Sequence, residues 1–231
     1  LFGQQNEKIK SDSEIYNLND FALYNKYRTY LIKTPIHVVN GFFFKAFTED
    51  KLIAITFDDG PVYNTKKIIS FLDKKNIPAT FFLVANKLNH SNSSLYSNKL
   101  FDVGHHTYSH LDYRELNKNK MRIDIDSCLT IFKRYGLSSN LFRPAYGVVN
   151  HNIYQALIDK KLNGVLWSLD SQDWNSQNIG SIIHNTLDNL KKGDVILFHD
   201  SINIYILQEI INGIQERGYK IIPLKDLMSI Q

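Results

Sequence analysis

Two adjacent carboxylates and two histidines four residues apart bound the chemistry open to this chain. The stretch "LIAITFDDGP", Leu52–Pro61, runs apolar residues straight into Asp58 and Asp59. Side-by-side carboxylates repel unless a cation sits between them or one takes up a proton. "HTYSH" supplies His106 and His110, whose spacing predicts one face of a helical turn, where two imidazoles can share a metal ion. With one aspartate added, the set becomes two His plus one Asp, leaving an open position for water. That is the ligand count of a catalytic rather than a structural zinc site. Neighbours on an extended strand point different ways, so one aspartate is expected on the metal. The other is then placed to take a proton from the water there.

The elements that must position these groups follow from the pattern. Strands are expected at Leu52–Phe57, Ala79–Ala85, just before His105, Leu141–Arg143, Val165–Leu169, Val195–Phe198 and Tyr219–Ile222. Helical periodicity covers Thr65–Lys75, Met121–Tyr135, Asn152–Lys161, Ser181–Leu190 and Tyr205–Arg217. Strands apolar on both faces and joined by helices imply a parallel sheet covered by helices. About seven such units could close into a distorted (β/α) barrel of the α/β class. Chemistry in such folds gathers at the carboxyl ends of the strands. Those ends read Asp58-Asp59, His105-His106 with His110, Arg143, Asp170 with Asp173-Trp174, and His199-Asp200.

Before the barrel lies an expected N-terminal extension, residues 1–50, ahead of a catalytic domain at 51–231. Residues 1–19 are polar. A helical stripe (Phe21, Tyr24, Tyr27, Leu31) follows, capped by Asp20 and closed by Pro35. Asn40-Gly41 then marks a two-residue hairpin, with Phe42–Phe44 read as packing residues. Asn86–Lys99 reads as a surface loop near the groove.

The chain has 231 residues, 43% of them hydrophobic and 22% charged, with a net charge of +4. No long Lys/Arg run concentrates that charge, so nucleic acid is not an expected partner. One cysteine, Cys128, excludes an internal disulfide and a cysteine-ligated metal centre and reads as a buried helix residue. No apolar run approaches the roughly 18–20 residues needed to cross a bilayer. The chain starts at Leu1 rather than Met, which leaves room for a leader or anchor ahead of it.

Five segments in order give the chain a specific resemblance to the polysaccharide deacetylases, the NodB-homology domains of carbohydrate esterase family 4. They are "TFDDGP", "HTYSH", "RPAYG", "DSQDW" and "LFH", within about residues 51–228. The resemblance implies that Asp59, His106 and His110 hold one divalent metal, Zn²⁺ or else Co²⁺. It implies that Asp58 is the general base, oriented by Arg143. Tyr146 would offer its backbone N–H to the oxyanion, and Asp173 would tune His199, the general acid. Trp174 and Leu197 would wall the acetyl group. The implied activity removes N-acetyl groups from N-acetylglucosamine units of a polysaccharide or glycolipid, in an extracytoplasmic location. The alternatives are an O-acetyl esterase on a glycan such as xylan, and a silent glycan-binding domain.

Three positions depart from the family pattern. Ala145 stands where a second Pro is usual and Ala85 where Gly is frequent. His105 stands where Asn is common, as either a hydrogen-bonding neighbour of the ligands or a competing ligand. His37, His90, His151 and His184 are read as surface or packing residues, and Trp167 as core. Asp170 is left between a structural and a supporting role, and Asp200 between support of His199 and support of the turn after it.

Overall fold

The computed structural model describes residues 38–39, 41–175 and 178–230. The helix expected over Phe21–Leu31, with Asp20 and Pro35, and the histidine at 37 lie outside the described residues. The strands are β1 Val38–Val39, β2 Phe42–Phe43, β3 Leu52–Gly60, β4 Ala79–Leu83, β5 Phe101–His105, β6 Leu141–Phe142, β7 Asn163–Val165, β8 Leu169–Asp170, β9 Val195–His199 and β10 Lys220–Ile221. The helices are α1 Thr65–Lys74, α2 His90–Ser93, α3 Lys118–Arg134, α4 His151–Asp159, α5 Ile179–Asp188, α6 Ile204–Glu216 and α7 Leu224–Met228. The sheet runs β1-β2-β7-β6-β5-β4-β3-β9-β8, with β10 on β3. Among the described residues every pairing between these strands is parallel except the β1–β2 hairpin, in which Val38 faces Phe43 and Val39 faces Phe42, and an isolated antiparallel bridge joins Lys45 to Asp194. This is the distorted parallel barrel that the sequence pattern implies.

Strand alternation sorts side chains into two cores. On β3, Ile53, Ile55 and Phe57 join one cluster, with Phe81 of β4, Phe198 of β9 and Ile206, Ile210 and Ile214 of α6. The Phe57 ring stacks on Phe81 at 5.1 Å and on Phe198 at 5.6 Å. Ala54 belongs to the other cluster, with Phe82, Phe142, Val195 and Leu197. Period-2 alternation carries that second face forward from Ala54 through Thr56 to Asp58, and from Val195 through Leu197 to His199. The pleat, not a loop, therefore puts Asp58 and His199 on one side of the sheet.

The expected strand Val165–Leu169 is instead two. Between β7 and β8 the chain crosses the seam of the barrel: Leu166 N–H donates to Phe43 O at 2.7 Å, and Ser168 N–H to Val195 O at 3.0 Å. Its residues are apolar because Leu166 and Trp167 are buried in the crossing, so the run looks like one strand. Residues Phe42–Ala46 supply β2 and four buried side chains to the second core, Phe42, Phe43, Phe44 and Ala46. Asn86–Lys99 is likewise more ordered than its polar composition suggests. Asn89 caps α2 by accepting from Ser91 and Asn92 N–H, and Tyr96 is buried.

A buried ion pair fastens the seam. Lys45 Nζ donates to Asp194 Oδ1 at 2.7 Å, and Asp194 also accepts from Ser168 Oγ and from Lys191 N–H, both at 2.7 Å. Removing one partner from a buried pair leaves an uncompensated charge. Asp194→Ala is therefore expected to lower unfolding free energy by about 3–5 kcal/mol in chemical denaturation. Lys45→Met should cost less, because Asp194 keeps two hydrogen bonds. Equal, small losses would show that the pair does not fasten the seam.

Candidate active site

Arg143 leaves the end of β6 and turns fully inward, with no exposed surface. Its Nη1 donates to Asp58 Oδ1 at 2.7 Å and to Thr56 Oγ1 at 2.8 Å, and its Nη2 to Leu166 O at 2.8 Å. The guanidinium lies 4.0 Å from the Phe82 ring centroid. Asp58 is 3% exposed. With Oδ1 taken by the guanidinium, Oδ2 is left 3.7 Å from His106 Nε2.

His106 Nδ1 lies 2.8 Å from Arg143 O. A carbonyl only accepts, so Nδ1 carries the hydrogen, and the Nε2 of a neutral ring turns a lone pair toward Asp59. His106 Nε2 and His110 Nε2 stand 3.4 and 2.9 Å from Asp59 Oδ1. That oxygen is buried and has no hydrogen-bond partner among the described residues. One ligand atom from each of the three side chains lies within 4.8 Å of the others. Two imidazole nitrogens and an orphaned carboxylate oxygen facing one another form a donor set that fits a divalent cation. Burial alone would raise the Asp59 pKa, but the two rings, when each carries its second proton, hold it well below the usual carboxylate range.

The predicted helical turn at "HTYSH" is absent. Thr107 and His110 are both left-handed, with φ of 66° and 59°. The loop is held by Thr107 Oγ1 accepting from His110 N–H at 2.9 Å, and by Asp124 Oδ1 accepting from Tyr108 N–H at 2.9 Å. The two imidazoles converge because the backbone kinks, not because a helix aligns them. The two aspartates diverge for a similar reason: Asp59 is left-handed, with φ 70°, rather than extended.

On the neighbouring strand β9, His199 is the register partner of Asp58. Its Nδ1 meets Asp173 Oδ1 at 2.8 Å, and its N–H donates to Asp173 Oδ2 at 2.8 Å. Burial alone would lower the His199 pKa. The Asp173 contact, reinforced by the charges of Asp58 and Asp59, raises it to about 9. Leu197 is buried two residues before His199, while Trp174 and Tyr146 are exposed. Tyr146 is left-handed, with φ 60°, and its ring meets His110 edge-on at 4.7 Å.

Residues left open by the sequence now have places. His105 Nε2 lies 3.1 Å from Ser139 O, and its Nδ1 lies 3.4 Å from Cys128 Sγ, so both its nitrogens are engaged away from the Asp59–His106–His110 set. Burial lowers its pKa to about 4 and raises that of Cys128, which leaves two neutral groups packed together. Asp170 holds a turn through Gln172 N–H, and Trp167 is core. His90 packs on Tyr135, and His184 faces Asp188 at 3.4 Å. Asp124 was missed. It accepts from Tyr113 Oη as well as from Tyr108 N–H. Its signal was a carboxylate on the buried stripe Met121, Asp124, Ile125, Cys128 of α3.

Comparisons with known proteins show the family. Residues 45–165 match the sequence model of the polysaccharide deacetylases. A peptidoglycan-N-acetylglucosamine deacetylase of Bacillus cereus is 30% identical over 191 residues, covering 78% of this chain and 89% of its own. A bifunctional xylanase/deacetylase of Pseudobutyrivibrio xylanivorans is 32% identical over 190 residues, 78% of this chain. Only 31% of that longer protein is spanned. The crystal structure of a peptidoglycan N-acetylglucosamine deacetylase superimposes with a TM-score of 0.73 at 29% identity, covering 80% of this chain and 91% of the other.

The His199 environment makes a direct prediction. Asp173→Asn removes the anion that favours the imidazolium, so the His199 pKa should fall by about 1–3 pH units in an NMR titration. An unchanged titration would show that another charge sets it.

Proposed function

Because the chain belongs to the polysaccharide deacetylase family, we propose that it hydrolyses N-acetyl groups on N-acetylglucosamine units of a polysaccharide or glycolipid. The observation that carries this reading is the placing of Asp58, paired with Arg143, and His199, paired with Asp173, as register partners on neighbouring strands beside the Asp59–His106–His110 donor set. A divalent ion on those three residues, zinc by preference or cobalt, would supply Lewis-acid polarisation of the carbonyl and acidify a water.

The chain's own groups do the rest. Asp58, its Oδ1 fixed by Arg143, takes the proton of the attacking water at Oδ2. The Tyr146 N–H faces the oxyanion that forms as the carbonyl becomes tetrahedral, a kind of contact worth roughly 2.7–4 kcal/mol. An amine is a poor leaving group unless protonated. His199 has Nδ1 committed to Asp173, so Nε2–H gives the proton to the departing nitrogen as the C–N bond breaks. Acetate and a free amino sugar result. Leu197 and Trp174 wall the methyl side. An acetylated glycan substrate goes with an extracytoplasmic site of action. Among the described residues no helix is long and apolar enough to cross a membrane.

The second reading, ester hydrolysis on an acetylated glycan such as xylan, is favoured by the named activity of the xylanase/deacetylase relative. The two differ in their need for an acid, since an alkoxide leaves more readily than an amine anion. A silent binding domain has no use for the paired acid and base.

Acetate release from N-acetylglucosamine oligomers tests the proposal. Chelated enzyme should be inactive and recover with Zn²⁺ or Co²⁺, while Asp58→Asn should bind metal yet lose about 10²–10⁴-fold in kcat. Metal bound without acetate release would exclude this amide substrate. In a parallel assay, His199→Ala should lose amide cleavage and keep cleavage of activated acetate esters. The rate on amides should also fall as pH rises through about 9, where His199 loses its proton. A rate still climbing at pH 10 would rule His199 out as the acid.

A further inference from the structure

The turn that presents Asp59 does not hold itself. Its left-handed φ of 70° costs a non-glycine residue about 1–2 kcal/mol, and the register of β3 against β4 shifts between Phe57 and Gly60. Such a conformation persists only where the surroundings over-determine it. Two supports are plain: Lys87 Nζ donates to Asp59 O at 2.8 Å, and Val84 N–H to Gly60 O at 2.9 Å.

The third support is a carboxylate that the catalytic reading does not use. Asp200 has no exposed surface. Its N–H donates to Asp58 O at 2.9 Å, and its Oδ2 accepts from Thr65 Oγ1 at 2.6 Å. Thr65 Oγ1 accepts in turn from Val62 N–H at 2.8 Å. A relay of carboxylate, hydroxyl and amide thus ties the loop between β3 and α1 to the end of β9. Asn64 Nδ2 adds a bond to Ser201 O at 3.2 Å. The turn is also shaped around Asp200, since a Cβ on Gly60 would stand 2.1 Å from its Oδ2. The second oxygen, Oδ1, is buried without a partner among the described residues, as is the hydroxyl of Tyr96. Tyr96 lies close enough for the Asp200 charge to help raise its pKa. A buried carboxylate with so few partners is expensive to keep.

We propose that Asp200 is a positioning residue for Asp59, locking the 59–65 turn through Thr65 so that Asp59 Oδ1 meets the Nε2 atoms of His106 and His110. Although adjacent to His199, it does not serve that ring. Its carboxylate is turned to Thr65 and Gly60, and His199 is held by Asp173. The proposal rests on the reading of Asp59, His106 and His110 as ligands.

The test is Zn²⁺ affinity by competition with a chromogenic chelator, with the melting temperature of the metal-free protein measured alongside. Asp200→Ala and Thr65→Val are expected to weaken Zn²⁺ binding by about 10–100-fold. Asp200→Asn, which keeps an acceptor for Thr65, and Thr65→Ser, which keeps the hydroxyl, should restore most of the affinity. A role in folding alone would lower the melting temperature and leave the affinity of the folded protein unchanged, which would overturn the proposal. So would equal loss in Thr65→Val and Thr65→Ser. If Asp200→Ala does not fold, the Thr65 pair carries the same test. Wild type that binds no Zn²⁺ is a separate failure, because it removes the ligand assignment on which the proposal stands.

Discussion

Burying a guanidinium costs several kcal/mol unless its N–H groups find acceptors and its charge a partner, and Arg143 meets that demand from four directions. It reaches Asp58 and Thr56 on β3, Val165 at the end of β7 and Leu166 in the seam crossing. Its backbone is equally committed, with N–H donating to His105 O and O facing His106 Nδ1. One residue therefore fixes the orientation of Asp58, the tautomer of His106 and the course of the chain between two strands. Lysine could not replace it, because a single ammonium cannot span acceptors so far apart.

Asp58 and His199 owe their relation to the sheet itself. As register partners on adjacent parallel strands they sit one strand spacing apart, about 4.8 Å. The same pleat turns both side chains to one face. Their surroundings then separate them chemically: a fixed cation stands beside the carboxylate and a fixed anion beside the imidazole. On the proposed function, this is the arrangement by which one site holds a base and an acid ready at the same pH.

Much of this was legible in the sequence, for a physical reason. Charged and imidazole side chains buried at strand ends need partners of particular types, so Asp58, His106, Arg143 and His199 stand out. Backbone shape was less legible. The i, i+4 spacing of His106 and His110 suits a helix, but left-handed Thr107 and His110 reach the same convergence by another route. Long-range partners were not legible at all. Nothing near Lys45 points to Asp194, 149 residues away. The apolar run across the seam hid a break between β7 and β8, because burial rather than strand pairing selects its residues.

Among the described residues, five of the seven non-glycine positions with left-handed backbone (Asp59, Thr107, His110, Tyr146 and Gln172) lie in the strand end and loops that carry the candidate site residues. The other two, Asn76 and Lys161, follow the ends of α1 and α4. Glycine would relax the backbone at any of them. At Asn76 and Lys161 that relaxation is free of consequence for the pocket. At Thr107 it would delete the hydroxyl that holds His110, and at Asp59 the carboxylate itself. Selection for heat resistance and selection for turnover thus pull in opposite directions around the rim and together only at the helix ends. An engineer seeking a hardier variant would start there.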